Sequence, residues 1–146
     1  MGRDLRDLAK SMRARAEGLD NLASDIAKAG VEAMLVEMVD VTPVDESTAL
    51  SNWQVNLGNR AADELPAYVL GERGSTRAAS ANQTLAEGRA ELQYKKPGQP
   101  IFLSNLTPYI GDLDDGSSRQ FPGGFVPRAL IIFRLAVQEA KRKLLR

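Results

Sequence analysis

The sequence predicts a small α+β protein in which a long N-terminal helix and a C-terminal helix accompany a small antiparallel sheet. Apolar residues recur at helical spacing near both ends of the chain, and two short segments between them have strand-like patterns. Turn-forming residues separate these segments. This order, with few strands, favours an α+β fold whose C-terminal helix packs on the sheet. With 146 residues, the chain fits a single domain over 1–146.

The first predicted element is one long helix over residues 1–41. Its apolar residues fall into two series that repeat every seven residues and together form an apolar seam: Leu5, Met12, Leu19, Ile26 and Ala33, and Leu8, Arg15, Leu22, Ala29 and Val36, with Arg15 as the polar exception. Because the seam is short and interrupted, it favours packing within the chain over a free coiled coil. Gly18 and Gly30 each cost the helix about 1 kcal/mol relative to Ala, so we expect a kink or a close approach there.

The middle of the chain, residues 42–125, begins with a turn and a strand. Pro43 ends the first helix, and Thr42 before it should be extended. The segment W-Q-V-N-L at 53–57 alternates apolar and polar residues, which predicts a strand with one buried face. The residues at 58–66 have the composition of a loop.

A second helix and a second strand are predicted next. Residues 75–92 are rich in alanine, and Asn82, Leu85, Gly88 and Arg89 fall along a weakly amphipathic helix that we expect at the surface. The sequence K-K-P-G-Q at 95–99 predicts a turn, and the apolar run at 100–105 predicts a short buried strand.

The segment 104–125 is predicted to be a shaped contact loop because glycines, prolines and hydroxyl or acidic residues interrupt its few apolar positions. The last element is a helix over 126–146. Its predicted apolar face, which begins one residue earlier, consists of Phe125, Ala129, Ile132, Phe133, Ala136, Val137, Ala140 and Leu144.

Composition argues against catalysis. The chain has no cysteine and no histidine, which excludes disulfides and thiolate ligands and removes the commonest general base. Asp112, Asp114 and Asp115 do not fit the calcium-binding loop of an EF-hand. Counted from Asp112, ligand position 5 is Gly116, and position 6, which must be a glycine, is Ser117. We therefore predict a non-enzymatic protein with no cofactor and no metal, and read these aspartates as an acidic turn. No apolar stretch approaches the length of about 20 residues that spans a bilayer. The N-terminus has no apolar signal region, so we do not expect secretion by the Sec route.

The charges are unevenly distributed although the whole chain is neutral. Residues 1–15 carry a net charge of +3, residues 128–146 carry +5, and the residues between them carry −8. Cations near the end of the last helix are favoured by the helix dipole, but Arg3 and Arg6 lie at the opposite helix end, where the dipole does not favour them. Basic ends around an acidic middle suit either complementary contacts between copies or contact with a polyanion, and a solvated surface is the simpler interpretation.

Two segments resemble a known family. They are T-P-V-D-x-S-x-A-L-S-N-W at 42–53 and N-x-x-P-Y-I-x-x-L-x-x-G-x-S-x-Q-x-P-x-G-F at 105–125. In this order and spacing they resemble the tail-completion or neck family of tailed bacteriophages, over roughly residues 20–140. Glu46-Ser47, where many relatives have T-G, and Asp114-Asp115 depart from the pattern and leave the subfamily open.

The resemblance implies a structural subunit of the virion neck, made and assembled in the host bacterial cytoplasm. Its partners would be copies of itself in a cyclic ring, with sixfold symmetry favoured and twelvefold next. A connector or head-completion protein would lie on one side of the ring and a tail-terminator or tail-tube protein on the other. Non-specific contact with genome DNA would also be compatible with this position. The alternative is a DNA-binding packaging accessory or regulatory protein that uses its basic termini.

The motif residues are candidates for the assembly interface or for shaping the loop. Asn52, Asn105 and Gln120 can satisfy backbone groups in irregular turns, whereas Tyr109 and Phe121 have the character of interface anchors. Packing on the chain's own core remains an equal alternative for each of them. The full set is Pro43, Asp45, Asn52, Trp53, Asn105, Tyr109, Gly116, Gln120, Phe121, Pro122, Gly124 and Phe125.

Overall fold

The computed structural model describes residues 4–146 and begins with a single long helix, α1 (Leu5–Val41). Asp4 caps its N-terminus by accepting a hydrogen bond from the main-chain N–H of Asp7 at 2.9 Å. The helix is continuous through Gly18 and Gly30, and Thr42 beyond it is extended, as predicted. Arg3, part of the basic N-terminus, lies outside the described residues.

The remaining elements complete an α+β architecture. They are α2 (Thr48–Ser51), β1 (Trp53–Leu57), α3 (Arg77–Gln93), β2 (Ile101–Asn105), α4 (Ile110–Asp114) and α5 (Phe125–Leu144). The two strands pair antiparallel, with Trp53 opposite Asn105 and Leu57 opposite Ile101. The predicted fold class is confirmed: a long N-terminal helix, a small antiparallel sheet and a C-terminal helix packed on it. The short helices α2 and α4 were not predicted.

Two apolar clusters form the core. The first lies between α1, α3 and the sheet and consists of Val31, Leu35, Val39, Val44, Leu50, Val55 and Leu92. The second lies where α5 begins and consists of Met38, Phe121, Phe125 and Ala129. Trp53 and Leu103 pack against both clusters, so the sheet joins them. Strand β2 itself is half-buried, whereas the sequence had predicted a buried strand.

Helix α5 runs antiparallel along α1. Arg128 near its start forms an ion pair with Glu37, and Phe133 farther along packs on Gly30. A Cβ atom at residue 30 would lie 2.4 Å from the ring of Phe133, which confirms the close approach predicted there. At Gly18, among the described residues 4–146, nothing lies within 4 Å of such an atom. The predicted apolar face of α5 is buried or half-buried except for Leu144, which is exposed.

Helix α3 buries a stripe that the sequence had placed at the surface. Its buried residues are Ser80, Thr84, Gly88 and Leu92. The hydroxyl of Ser80 donates to the carbonyl of Val69 and accepts from its N–H, both at 3.1 Å. A Cβ atom at residue 88 would lie 2.3 Å from Leu35 Cδ2, so the glycine allows α3 to approach α1 closely. The stripe was missed because small residues, two of them polar, make up most of it, rather than large apolar ones.

The apolar seam of α1 is exposed over half its length, which is the largest departure from the sequence prediction. Residues 4–23 are exposed apart from half-buried Ser11 and Leu22. Leu5 is 83% exposed, Met12 61% and Leu19 65%. Burial starts at Ser24 and continues to Val39 on the core-facing side. We call residues 5–23 the free segment and residues 24–41 the anchored segment. The prediction that the seam packs within the chain is wrong for the free segment.

Candidate functional site

The two motif segments, 42–53 and 105–125, meet at one corner of the molecule, which we call the motif corner. The side-chain amide of Gln120 pairs with the main chain of Val44: Oε1 accepts from the N–H at 3.1 Å, and Nε2 donates to the carbonyl at 3.5 Å. Asn105 Nδ2 donates to the carbonyl of Ala49 at 2.7 Å. These bonds satisfy buried or half-buried backbone groups and hold the second segment on the first.

Three aromatic rings fill the interior of the motif corner. The rings of Trp53 and Phe125 meet edge to face, with centroids 5.3 Å apart, and Phe121 stacks on Phe125 at 4.5 Å. Trp53 Nε1 donates to Thr42 Oγ1 at 2.7 Å, and that hydroxyl donates in turn to the carbonyl of Met38 in α1. Phe121 is 2% exposed, so of the two alternatives left open for it, packing on the chain's own core is the one that the structure supports. It belongs to the core.

Asn52 fixes the loop that follows β1. Its side chain is fully buried, and its amide forms a two-way bridge with Leu65: Nδ2 donates to the carbonyl and Oδ1 accepts from the N–H, both at 2.7 Å. Nδ2 also donates to the carbonyl of Thr48 at 2.9 Å. A buried amide with this many partners specifies one loop conformation.

The second segment holds the start of α5. The Asp114 carboxylate accepts from the N–H of Phe125 at 2.7 Å, and its carbonyl accepts from Gly124 at 2.9 Å. Negative charge at this position complements the helix N-terminus. Gly116 and Gly124 both have positive φ, and a Cβ atom at Gly116 would lie 2.6 Å from the carbonyl of Pro122. The acidic turn therefore has a structural use, with one of its carboxylates turned inward.

The outer side of the motif corner has a pocket of about 330 Å³ between the two segments. Pro43, Asp45 and Glu46 line it from the first segment, and Tyr109 lines it from the second. Partial burial raises the pKa of the Tyr109 hydroxyl above the ordinary 10.0, so this group stays protonated at neutral pH. Asp45 Oδ1 accepts from the N–H of Arg73 at 2.7 Å. The pocket offers hydrogen bonds and negative charge to a neighbour.

The predicted site residues thus divide into an inner and an outer group. The inner group holds the corner together: Asn52, Trp53, Asn105, Gly116, Gln120 by its side-chain amide, Phe121, Gly124 and Phe125. The outer group presents side chains at or near the surface: Pro43, Asp45, Tyr109 and Pro122.

Arg77 on α3 is a structural residue that the sequence reading missed. Its guanidinium donates to the carbonyls of Thr42 at 2.9 Å and Val39 at 3.3 Å, and also to that of Asp40. It therefore satisfies carbonyls left open at the C-terminus of α1. The sequence held one indication that a distant cation bonds these carbonyls, because the last turn of α1 has no basic residue of its own.

Within residues 4–146, two of the helices carry several exposed apolar side chains outside the motif corner. One is α1, in its free segment. The other is α5, on whose outer face Val126, Leu130, Ile131 and Leu135 are exposed. Of the helices within residues 4–146, none combines the length and apolar character needed to cross a membrane.

Comparisons of the chain with family models, with curated proteins and with solved structures found no match in any of the three.

Proposed function

We propose that this chain is a structural subunit of the head–tail joint of a tailed bacteriophage, a neck or tail-completion ring that links the portal-connector complex to the tail. What supports the proposal in the sequence is the pair of motifs at 42–53 and 105–125. Residues of both motifs form the hydrogen bonds and ring contacts of the motif corner, so the two motifs belong to one structural unit.

The observation that carries the proposal is the amount of apolar surface left uncovered on two helices. Exposed leucines, isoleucine, valine and methionine occupy the free segment of α1 and the outer face of α5. Single exposed apolar residues are ordinary, but groups of them one turn apart on two helices favour interaction surfaces. A subunit that becomes buried among neighbours has this character, and its chemistry is docking rather than catalysis.

In this proposal the chain forms a cyclic ring, with sixfold symmetry favoured and twelvefold next. Neighbours in a ring meet through two different surfaces, and the outer face of α5 and the pocket of the motif corner are such a pair. Cations of α5, including Lys141 and Arg142, would then approach the carboxylates of Asp45 and Glu46. A connector or head-completion protein and a tail-terminator or tail-tube protein occupy the two sides of the ring.

The test is to remove the coding sequence from the phage genome that carries it and to examine the particles by negative-stain electron microscopy. We expect DNA-filled heads and separate tails that do not join. Supplying the chain from a plasmid should restore joined virions and place the protein in purified particles by mass spectrometry. Joined, infectious virions without the chain would contradict the proposal.

A pair of tyrosine variants sharpens the plasmid experiment. Tyr109→Ala removes a pocket side chain and should lower the yield of joined virions, whereas Tyr94→Ala should leave it unchanged. Tyr94 is more exposed than Tyr109 and lies outside both motifs, so it is a control for loss of a surface tyrosine. Equal yields of joined virions from both variants would show that the pocket is not part of the interface.

One observation favours the second candidate, a DNA-binding accessory or regulatory protein. The free segment exposes Arg6, Lys10, Arg13 and Arg15 within three turns of one helix. Such a cluster predicts affinity for duplex DNA that falls steeply as salt is raised. Fluorescence anisotropy with a labelled duplex at low and high salt separates the candidates, because negligible binding at low salt removes this one.

A further inference from the structure

The free segment of α1 carries an apolar stripe in which large and small residues alternate along the axis. The large residues Leu5, Met12 and Leu19 repeat every seven positions, and the small residues Ala9, Ala16 and Ala23 lie between them with the same repeat. Positions that differ by three, four or seven share one face of a helix, so the six residues form a single stripe. At 1.5 Å per residue, the free segment is about 28 Å long.

The stripe continues the face of α1 that α5 covers farther along. Gly30 lies seven residues beyond Ala23, and Phe133 of α5 packs directly on it. The contacts of Arg128 with Glu37 and of Phe133 with Gly30 place the end of α5, at Leu144, level with about residue 20 of α1. The part of the stripe N-terminal to Leu19 therefore extends beyond the reach of its intramolecular cover. The surface that completes the stripe therefore has the shape of another helix.

We propose that the free segments of two copies pair antiparallel about a twofold axis that passes between Met12 and Ala16, at the level of residue 14. In this register Leu5 of one copy lies opposite the partner's Ala23, Leu19 opposite the partner's Ala9, and Met12 opposite the partner's Ala16. Every large side chain then meets a small one, which lets the helices approach evenly. A parallel pair would place leucine against leucine and alanine against alanine, with crowding at some levels and gaps at others.

Charge complementarity favours the same arrangement. Residues 6–15 carry four cations and one carboxylate, and residues 16–23 carry two carboxylates and no cation. Antiparallel pairing places Arg6 near the partner's Asp20 and Lys10 near the partner's Glu17, while Arg13 and Arg15 lie close to the twofold axis. Parallel pairing would place the basic parts side by side, where like charges repel.

The pair goes beyond the proposed ring and does not depend on it. A twofold contact uses the same surface on both copies, whereas ring neighbours meet through two different surfaces. The contact is also short, at the low end of the size range for specific interfaces, so we expect a dissociation constant of about micromolar. The pair is a property of the purified chain, and its failure would leave the virion experiments unaffected.

Sedimentation velocity of the purified full chain tests the pairing. We expect a reversible shift from the monomer mass of 15.9 kDa to twice that value as concentration rises. Leu19→Glu should abolish the dimer, and Asn21→Glu, which adds the same charge to the opposite face, should retain it. Leu19 is exposed, so both variants should keep the circular dichroism spectrum of the parent chain. A parent chain that stays monomeric, or equal dimerisation of both variants, would overturn the proposal.

Cysteine trapping tests the register. Because the chain has no native cysteine, only the introduced cysteines can form a disulfide. Met12→Cys chains mixed with Ala16→Cys chains should form a disulfide-linked heterodimer severalfold faster than either forms a homodimer. The control pair, Asp7→Cys with Asn21→Cys, has the same register on the opposite face and should cross-link slowly. Faster homodimers of Met12→Cys would indicate a parallel pair and contradict the proposal. If the chain instead forms a larger closed ring and neither cysteine pair cross-links, another element covers the stripe and the proposal is wrong.

Discussion

The anchored and free segments of α1 belong to one uninterrupted helix with one apolar repeat, yet they differ completely in burial. In the anchored segment, Leu35 and Met38 are almost inaccessible to solvent, and α3, α5 and the sheet surround them. In the free segment, Leu5 and Leu19 are mostly exposed. A seven-residue repeat therefore fixes which face of a helix is apolar and leaves open what covers that face.

The two segments also differ in what maintains their helical conformation. The anchored segment is held by core packing and by Arg77 at its C-terminus. The free segment extends a helix that is already nucleated, so each added residue gains a hydrogen bond without a new nucleation cost. Its stability therefore depends on propensity and capping, and that of the anchored segment depends on packing.

The largest expected difference between the segments comes from shortening a leucine in each. Leu35→Ala should lower the free energy of unfolding by about 2–5 kcal/mol, because it leaves a cavity in the first core cluster. Leu19→Ala should change it by less than about 0.5 kcal/mol. Urea denaturation of both variants, at a concentration where the chain is monomeric, measures the contrast. Equal losses would mean that the free segment is packed in solution.

A smaller effect is expected where α1 ends. Arg77→Met keeps the aliphatic stem but removes the donors to three carbonyls, and should lower stability by about 1.5–3 kcal/mol. The control is Arg89→Met on the same helix, which breaks an exposed ion pair with Glu32 and should cost less than about 1 kcal/mol. Thermal unfolding of the two variants compares them. An unchanged transition for Arg77→Met would remove the guanidinium from the anchoring of α1.

The smallest effect, and one of opposite sign, comes from the two glycines of α1. Gly18→Ala should stabilise the chain by up to about 1 kcal/mol, because the added methyl group meets open space and alanine favours the helix. Gly30→Ala should destabilise it, since the methyl group would lie 2.4 Å from the ring of Phe133 and force the ring or α5 to shift. The same unfolding assay gives both values, and a gain from Gly30→Ala would show that this helix contact is loose.

The sequence predicted the elements whose pattern rests on large apolar residues. The face of α5 and the strand β1 were found in this way. It failed where burial depends on small polar residues, as in the Ser80 and Thr84 stripe of α3, whose burial is satisfied by hydrogen bonds to distant backbone groups. It also failed for α2 and α4, because four or five residues contain too little of a helical period to recognise.

The motif corner shows the same division. Asn52, Asn105 and Gln120 could be predicted to satisfy backbone groups, because amide side chains in irregular segments have that use. Which backbone groups they bond depends on the meeting of two segments more than fifty residues apart, as in the pairing of Gln120 with Val44. Arg77 illustrates the limit, since its partners lie on another helix altogether.

The hydroxyl of Thr42 links the end of α1 to the interior of the motif corner, since it contacts both Met38 and Trp53. Core packing holds the whole anchored segment beside this corner, and the free segment projects about 28 Å beyond it. A tilt of the free segment by about 5° would move its tip by about 2.5 Å. The free segment is therefore a lever, in which a small change of angle at the edge of the core becomes a larger displacement of whatever the tip contacts.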